Sequence, residues 1–444
     1  MRNRRKKRRG ISAGTIAMLM VTSLVILGLV LVLPPLVGDR PVQIDTSQML
    51  SGLNLGEIVP TLSLSQIPLE DDHQTAPAPS VNDTSSAGGE IPLPQATPAP
   101  QAAKSFSFTA GGTLIIDNTV RRSAYHEESK TYDFSQMISS LTQDLRTEFS
   151  YMTLENLVHP GSKLSDLVTT EEALSMFPEA GVDGINLGHS RAMNLGPSGL
   201  HATIDALREK KLSVLGAFAS QEDADTPRLM TLGEVKVAFL SFVQTLSKTG
   251  ERAMKQSKSS YAIPLLTQEN MAAAISRARE AGAQAVVVNV YWSGESKDTP
   301  SKEQVSICQQ LADLGADVII GTGTHRVQQV TWLSRREQDG TLRQVLCAYG
   351  LGNVITSSTK PHETASMLLH CTLSLDGDGI LRYDQLEFTP TYVWKYSEEG
   401  KTHFQVIRSA DPRPASMDDK SAAAMGKAFQ SIESLMQESP LNLR

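Results

Sequence analysis

Apolar and polar positions fall into three regimes along the chain. Ile11 to Gly38 contains no charged residue and is dense in Leu, Val, Ile and Met between Ile16 and Leu33. About 20 apolar residues suffice for a helix to cross a bilayer core, so residues 11–37 are expected to form a transmembrane helix stopped by Pro34 and Pro35. A cleaved signal peptide is the competing expectation. Its apolar core is about 7–15 residues with small residues at the cleavage site, and Leu-Pro-Pro-Leu-Val-Gly at 33–38 fits that poorly. Residues 38–103 are rich in Pro, Ala, Ser, Thr and Gln in their second half. Such a segment buries too little apolar surface to offset chain entropy, and a flexible stalk is expected. Its apolar pieces Met49–Leu55 and Ile58–Leu64 suit a helix or a strand equally.

From Ser105 onward the pattern is that of a folded body. Strands are expected at 105–117, 149–154, 182–187, 212–218, 236–243, 285–292 and 317–321. Helices are expected at 134–148, 199–211, 268–282 and 304–315, from apolar residues at helical spacing such as Leu200, Ile204 and Leu207. Ala285–Trp292 is apolar nearly throughout, as in strands covered on both faces. After Gln328 strands dominate: 329–333, 343–349, 366–375 and 380–388, the last two joined by Asp376-Gly377-Asp378-Gly379, a hairpin signal. Alternation followed by a run of strands predicts an α/β fold with helices outside and two sheets inside. The body is bounded at 104–395, and 396–444 is expected to be a C-terminal extension with an amphipathic helix beginning near Asp418.

Charge changes this picture at one end. Arg2, Arg4, Arg5, Lys6, Lys7, Arg8 and Arg9 form a basic tip at 1–10 on a chain whose 41 Lys and Arg are outnumbered by 48 Asp and Glu. The positive-inside rule then holds the N-terminus in the cytoplasm and puts the main domain outside the cell as a single-pass membrane protein. The net charge of −7 argues against a general nucleic-acid binder. Three cysteines, Cys308, Cys347 and Cys371, are too few and too odd in number for a disulfide framework. Three buried thiols are expected, with a Cys347–Cys371 pairing left open.

Six short segments carry candidate chemistry: Phe106–Asp117 (FSFTAGGTLIID), Tyr151–Glu155 (YMTLE), Gly181–Gly196 (GVDGINLGHSRAMNLG), Tyr291–Glu295 (YWSGE), Gly315–Gln328 (GADVIIGTGTHRVQ) and Tyr349–Ile355 (YGLGNVI). In this order they resemble the bacterial CapA family of capsule and poly-γ-glutamate synthesis proteins. There the corresponding elements read approximately GD, NLE, NNH-x-x-D-x-G, HWG-x-E, G-x-H-P-H-x-x-Q and Y-S-L-G-N-F. The resemblance implies a metallophosphatase-like four-layer α/β/β/α sandwich, with Asp, Asn and His at strand ends around divalent metals. Mn, Fe or Zn suit such ligands.

Against that pattern this chain is degenerate. Gly112 replaces the GD aspartate, Thr153 the NLE asparagine, Arg191 the NNH histidine, Tyr291 the HWG histidine and Gly323 the first histidine of G-x-H-P-H; Asn194 replaces an aspartate. Glycine offers no lone pair and arginine no acceptor, so no two-metal site and no cofactor are expected. A cleft is nevertheless expected from Glu155, His189, Arg191, Asn194, Trp292, Glu295, His325 and Asn353, since ligand sites in α/β folds lie at strand C-termini. Each also has a structural reading: a carboxylate at a sheet edge, a hydrogen-bonded histidine, a packed indole, a strand-to-loop turn at Gly350–Asn353. Arg191 is a candidate anion clamp, with poly-γ-glutamate, teichoic acid or an acidic polysaccharide as ligand.

Two functions follow. The first is a membrane-anchored, extracytoplasmic protein of capsule or poly-γ-glutamate-type polymer synthesis, handling or anchoring, in contact with other capsule-synthesis membrane proteins and not itself a metal enzyme. The alternative is a metal-dependent hydrolase or transferase on envelope phosphoesters or amides, with a reduced one-metal site of His189, His325 and Glu155 together with Asp117 or Asn194. On the first reading, Gly112→Asp, Thr153→Asn, Arg191→His, Tyr291→His and Gly323→His together would regenerate a metal site.

Overall fold

The computed structural model describes residues 104–294 and 297–444. The basic tip, the expected anchor and stalk, and Glu295 lie outside them. Among the described residues no helix is long and apolar enough to cross a membrane.

The chain begins one sheet, builds a second, and returns to the first. Strands β1 (Lys104–Leu114), β2 (Phe149–Leu154), β3 (Gly184–Asn186) and β4 (Ser213–Leu215) run parallel in that order. The second sheet holds β5 (Leu229–Leu232), β6 (Val235–Val243), β7 (Ala285–Tyr291), β8 (Val318–Thr322), β9 (Val330–Arg336) and β10 (Leu342–Ala348), in the order β9-β10-β8-β7-β6-β5. The chain then returns through β11 (Asn353–Ile355), β12 (Ala365–Leu375), β13 (Leu381–Glu398) and β14 (Lys401–Arg408), and the first sheet reads β14-β13-β12-β1-β2-β3-β4 with β11 also paired to β1.

Three apolar clusters define four layers. Helices α1 (Asn118–Ser123), α2 (Glu172–Ala180) and α3 (Gly196–Glu209) cover the outer face of the first sheet, where Phe177, Leu200 and Ile204 meet Met152 and Ile185. Between the sheets, Phe106, Phe108 and Tyr151 pack on Val237, Phe239 and Val287. Following α4 (Lys248–Ser257), helices α5 (Gln268–Glu280) and α6 (Lys302–Leu314) cover the second sheet, with Ile275 and Leu311 against Val288 and Ile319. Burial on both faces accounts for the apolar run of β7. The α/β/β/α order agrees with the sandwich that the resemblance implies.

Two expectations change, and the expectation of three buried thiols holds. Residues 134–148 form turns around a 3₁₀ segment, Ser139–Leu141, rather than a helix. Phe134, Met137, Ile138 and Leu141 are buried as their spacing suggests, but Asp133 and Thr142 bond the local backbone, and the Met137 carbonyl accepts from Val406 N in β14. Strand β13 runs through the boundary expected at 395, and helix α7 (Asp419–Met436), capped by Asp418, sends Met425, Ile432 and Met436 into the inter-sheet core. All three cysteines are free and buried. Cys347 lies in the cluster under α5 and α6 and Cys371 in the inter-sheet cluster, so these two do not pair.

Candidate functional site

The C-terminal ends of β2, β7 and β8 meet at one buried carboxylate. Glu155 follows β2, and its backbone N–H donates to Leu114 O at the end of β1 (3.0 Å), which holds the side chain in the cleft at 3% exposure. Tyr291, the last residue of β7, donates its hydroxyl to Glu155 Oε1 at 2.9 Å. Arg191, in the loop after β3, places Nη2 3.3 Å from Glu155 Oε2. From the loop after β8, His325 brings Nδ1 to 4.0 Å from Glu155 Oε1 and 2.9 Å from Asn353 Oδ1. The Asn353 amide in turn donates to Glu363 O. A buried carboxylate needs compensating donors, and here a guanidinium and a phenol supply them. Burial, then the Glu155 charge, pushes the Tyr291 hydroxyl well above its ordinary range, so it remains a proton donor at neutral pH. Tyr291→Phe is expected to lose about 1.5–3 kcal/mol, as for a hydrogen bond to a buried charge. Urea denaturation would check this, and an unchanged midpoint would contradict it.

His189 adjoins the cluster. It is fully buried, its Nδ1 takes the Arg191 backbone N–H at 3.3 Å, and its ring lies 6.3 Å from that of Tyr291. Beneath the cluster Asn186 Nδ2 donates to Thr153 Oγ1 at 3.1 Å, and Thr153 reaches Thr322 Oγ1 at 3.5 Å. Asn186 and Thr322 escape a sequence reading because a neutral Asn and Thr carry no signal of their own; Thr322 lies beside the degenerate Gly323.

Other candidates are structural. Asn194 Oδ1 receives the hydroxyl of Ser247, the N-cap of α4. Trp292 is fully buried and donates to Tyr349 O at 3.0 Å. Asp117 caps α1 through the Thr119 and Val120 N–H groups and accepts from Ser357, so its carboxylate is committed there rather than displaced into the cleft.

A divalent-metal pair can be tested against the donors. At Gly112, inside a β-bulge of β1, an added Cβ would stand 2.1 Å from Gly352 O. At Gly323 (φ +80°) it would stand 2.6 Å from Trp292 O and 2.8 Å from the Tyr291 ring. Arg191 brings a cation, and Glu155 already accepts two donors. Among the described residues no group of three or more His, Cys, Asp or Glu is placed to hold a metal ion. The side chains present do not fit a two-metal centre. The same geometry argues against the expected restoration by five substitutions, because backbone fills the space that a side chain at 112 or 323 would need.

Residues 107–358, more than half of the chain, match the family described as bacterial capsule synthesis protein PGA_cap. The chain belongs to that family. Capsule biosynthesis protein CapA of Bacillus anthracis is 26% identical over 270 residues, covering 60% of this chain and 61% of that one. PGA biosynthesis protein CapA of Bacillus subtilis (strain 168) is 25% identical over 240 residues, covering 53% and 60%. The matches thus span less than two thirds of either relative. Among solved structures, the calcineurin-like phosphoesterase YfkN from Bacillus subtilis is similar at a TM-score of 0.39 and 12% identity, over 76% of this chain and 100% of that one, a likeness that bears on nothing further. In this member of the family, the cleft carboxylate is balanced by the chain's own arginine and tyrosine.

Two buried histidines contribute to the acid response of the domain below about pH 6.5. Burial, then the Arg191 charge, pushes His189 down to about 3; burial, then Arg444 and Arg408, does the same to His370, which lies between the Thr109 and Thr389 hydroxyls. An unfolded histidine takes up its proton near pH 6.5, whereas these two stay neutral down to about 3. The unfolded chain therefore binds more protons across that window, and stability falls as pH drops below about 6.5. Above it neither histidine contributes. The slope approaches about 1.4 kcal/mol per pH unit for each. The urea midpoint is expected to fall between about pH 6.5 and 5, less steeply in His370→Asn; equal slopes in both proteins would contradict the assignment.

Proposed function

We propose that the protein serves the synthesis, handling or anchoring of a capsule or poly-γ-glutamate-type polymer outside the cell, tethered by residues 11–37, and that its cleft works without a two-metal centre. Family membership supports the polymer; the hydropathy and basic tip of the N-terminal residues support the tether. The observation that carries the cleft reading is the Arg191 guanidinium 3.3 Å from Glu155 Oε2, a fixed positive charge in the position the resemblance gives to a ligand histidine. Such a cleft binds or positions rather than hydrolyses. Other capsule-synthesis membrane proteins are its natural partners.

The full chain, purified in detergent and exposed to Mn, Fe or Zn, is expected to retain no stoichiometric metal. Stoichiometric metal that disappears in His325→Ala would overturn this reading in favour of a metal-dependent hydrolase or transferase. Surface polymer is expected to fall in cells lacking the gene and to recover with the wild-type chain. Unchanged polymer would remove the capsule assignment.

A further inference from the structure

The second sheet has a gap in its edge. Strand β5 pairs with β6 only as far as Leu229 opposite Ala238, and Pro227, which has no N–H to donate, lies just before β5. Further along, Val243 N donates to Pro264 O at 2.9 Å and Val243 O accepts from Leu266 N at 2.8 Å. Between Ala238 and Val243, about 16 Å of strand, β6 has no neighbouring strand on that side among the described residues. A pocket of about 420 Å³ occupies the interval. None of its lining residues belongs to the Glu155 cleft.

Ser241 lines this pocket with three polar groups unengaged. Along β6 the even-numbered positions bond towards β7: Lys236 O accepts from Gln284 N, and Gln244 N donates to Tyr291 O. Main-chain groups alternate sides along a strand that has a neighbour on each side. The N–H and C=O of Ser241 therefore point, like those of Val243, away from β7 and into the gap. Neither has a partner among the described residues. The hydroxyl is a third such group: Ser241 is 5% exposed, and its Oγ, beside Gly216 and Gly188, has no partner either. Buried main-chain groups left unpaired are rare and costly, so the stability of the fold does not account for three unpaired groups on one residue.

The walls narrow the ligand. Leu240 and Phe242, with Ala273 of α5, stand on one side of the sheet edge, and Leu215 and Phe239 belong to the inter-sheet core on the other. A molecule held between these layers lies in the plane of the sheet and is flat and apolar on both faces. Charge at the rim is balanced, Asp225 and Glu269 against Arg228 and Arg277, and Arg228 is already held by Asp223 and Val214 O. Such a rim favours a neutral molecule. The gap is closed by β5 at one end and by the bonds of Val243 to the 264–266 segment at the other, so a polypeptide strand running on along β6 does not fit and a small molecule does. We propose that this pocket binds a small, neutral, planar ring amide of the lactam type. Its N–H donates to Ser241 O. Its carbonyl, with two lone pairs, accepts from both the N–H and the hydroxyl of Ser241, and its ring packs between Leu240 and Phe239. The proposal is independent of the polymer reading above.

The test is saturation-transfer NMR on the full chain in lipid nanodiscs, with oxindole as the probe and N-methyloxindole, which lacks the N–H, as its counterpart. Oxindole is expected to bind the wild-type chain, and N-methyloxindole at least tenfold more weakly. Ala273→Phe, which fills the pocket from the side of α5, is expected to weaken oxindole binding at least tenfold with an unchanged melting temperature. Should that variant fail to fold, Ser241→Ala serves in its place. It is expected to bind oxindole at least threefold more weakly and, because its hydroxyl has no partner to lose, to melt no lower than the wild type. Absence of oxindole binding by the wild-type chain, the result for a pocket that holds only water, overturns the proposal. Equal affinity for the two probes overturns it as well, and so does unchanged oxindole affinity in the folded variant.

Discussion

Replacing Arg191 with methionine is expected to destabilise the domain by about 3 kcal/mol, and adding Glu155→Gln is expected to recover most of that loss. Removing one partner of a buried ion pair strands the other charge, at about 3–5 kcal/mol. The lower end applies because the Arg191 side chain is 31% exposed, so water reaches part of the guanidinium, while Glu155 is only 4% exposed and keeps no comparable access. Tyr291 continues to donate to Glu155 Oε1 in the single variant, which also moderates the effect. With glutamine at 155 no buried charge remains, and methionine fills the volume of the arginine stem. A double-mutant cycle by urea denaturation isolates the coupling. A coupling below about 0.5 kcal/mol, the level of an exposed pair, would mean that Arg191 does not balance the Glu155 charge, and the account of the cleft would fail with it.

Arg191 shows where sequence reasoning stops. An arginine at the place that the resemblance gives to a ligand histidine is visible in GHSRAMNLG, and so is its capacity to bind an anion. The anion it meets, Glu155, lies 36 positions away just past the end of β2, and no local pattern predicts that convergence. The strands are legible for the opposite reason. Apolar runs such as Ala285–Tyr291 follow from burial on both faces, a property each segment carries by itself. At 134–148 the apolar spacing is right and the element is not: helical spacing reports which residues face the core, while Asp133 and Thr142 bond the backbone locally and β14 takes the Met137 carbonyl. His325 is legible as a site residue, yet its left-handed backbone (φ +57°) and its bond to Asn353 depend on the loop after β8 meeting β11.

Gly112, at a position that the resemblance gives to a ligand, carries the other large expected effect. Gly112→Ala is expected to destabilise the protein by more than about 3 kcal/mol, above the usual range for overpacking, because the obstacle is backbone. The added Cβ would stand 2.1 Å from Gly352 O and 3.1 Å from Leu351 O. Gly352 cannot step aside at little cost. Its carbonyl accepts from Thr113 N at 2.9 Å, its φ is +77°, and its own Cα faces Ala365 O closely enough to exclude a side chain. The parallel pairing of β1 with β11 would have to open. Gly377→Ala, in the exposed 376–379 hairpin with nothing within 4 Å, is the control and should shift stability by no more than about 0.5 kcal/mol. For the same reason the combined set Gly112→Asp, Thr153→Asn, Arg191→His, Tyr291→His and Gly323→His is expected to yield unfolded protein rather than a metal centre. Thermal melting of the single variants and elemental analysis of the combined one decide the matter. A Gly112→Ala protein that melts like wild type, or a folded combined variant that retains two equivalents of Mn, would show that β11 yields readily and that the cleft still accommodates metal ligands.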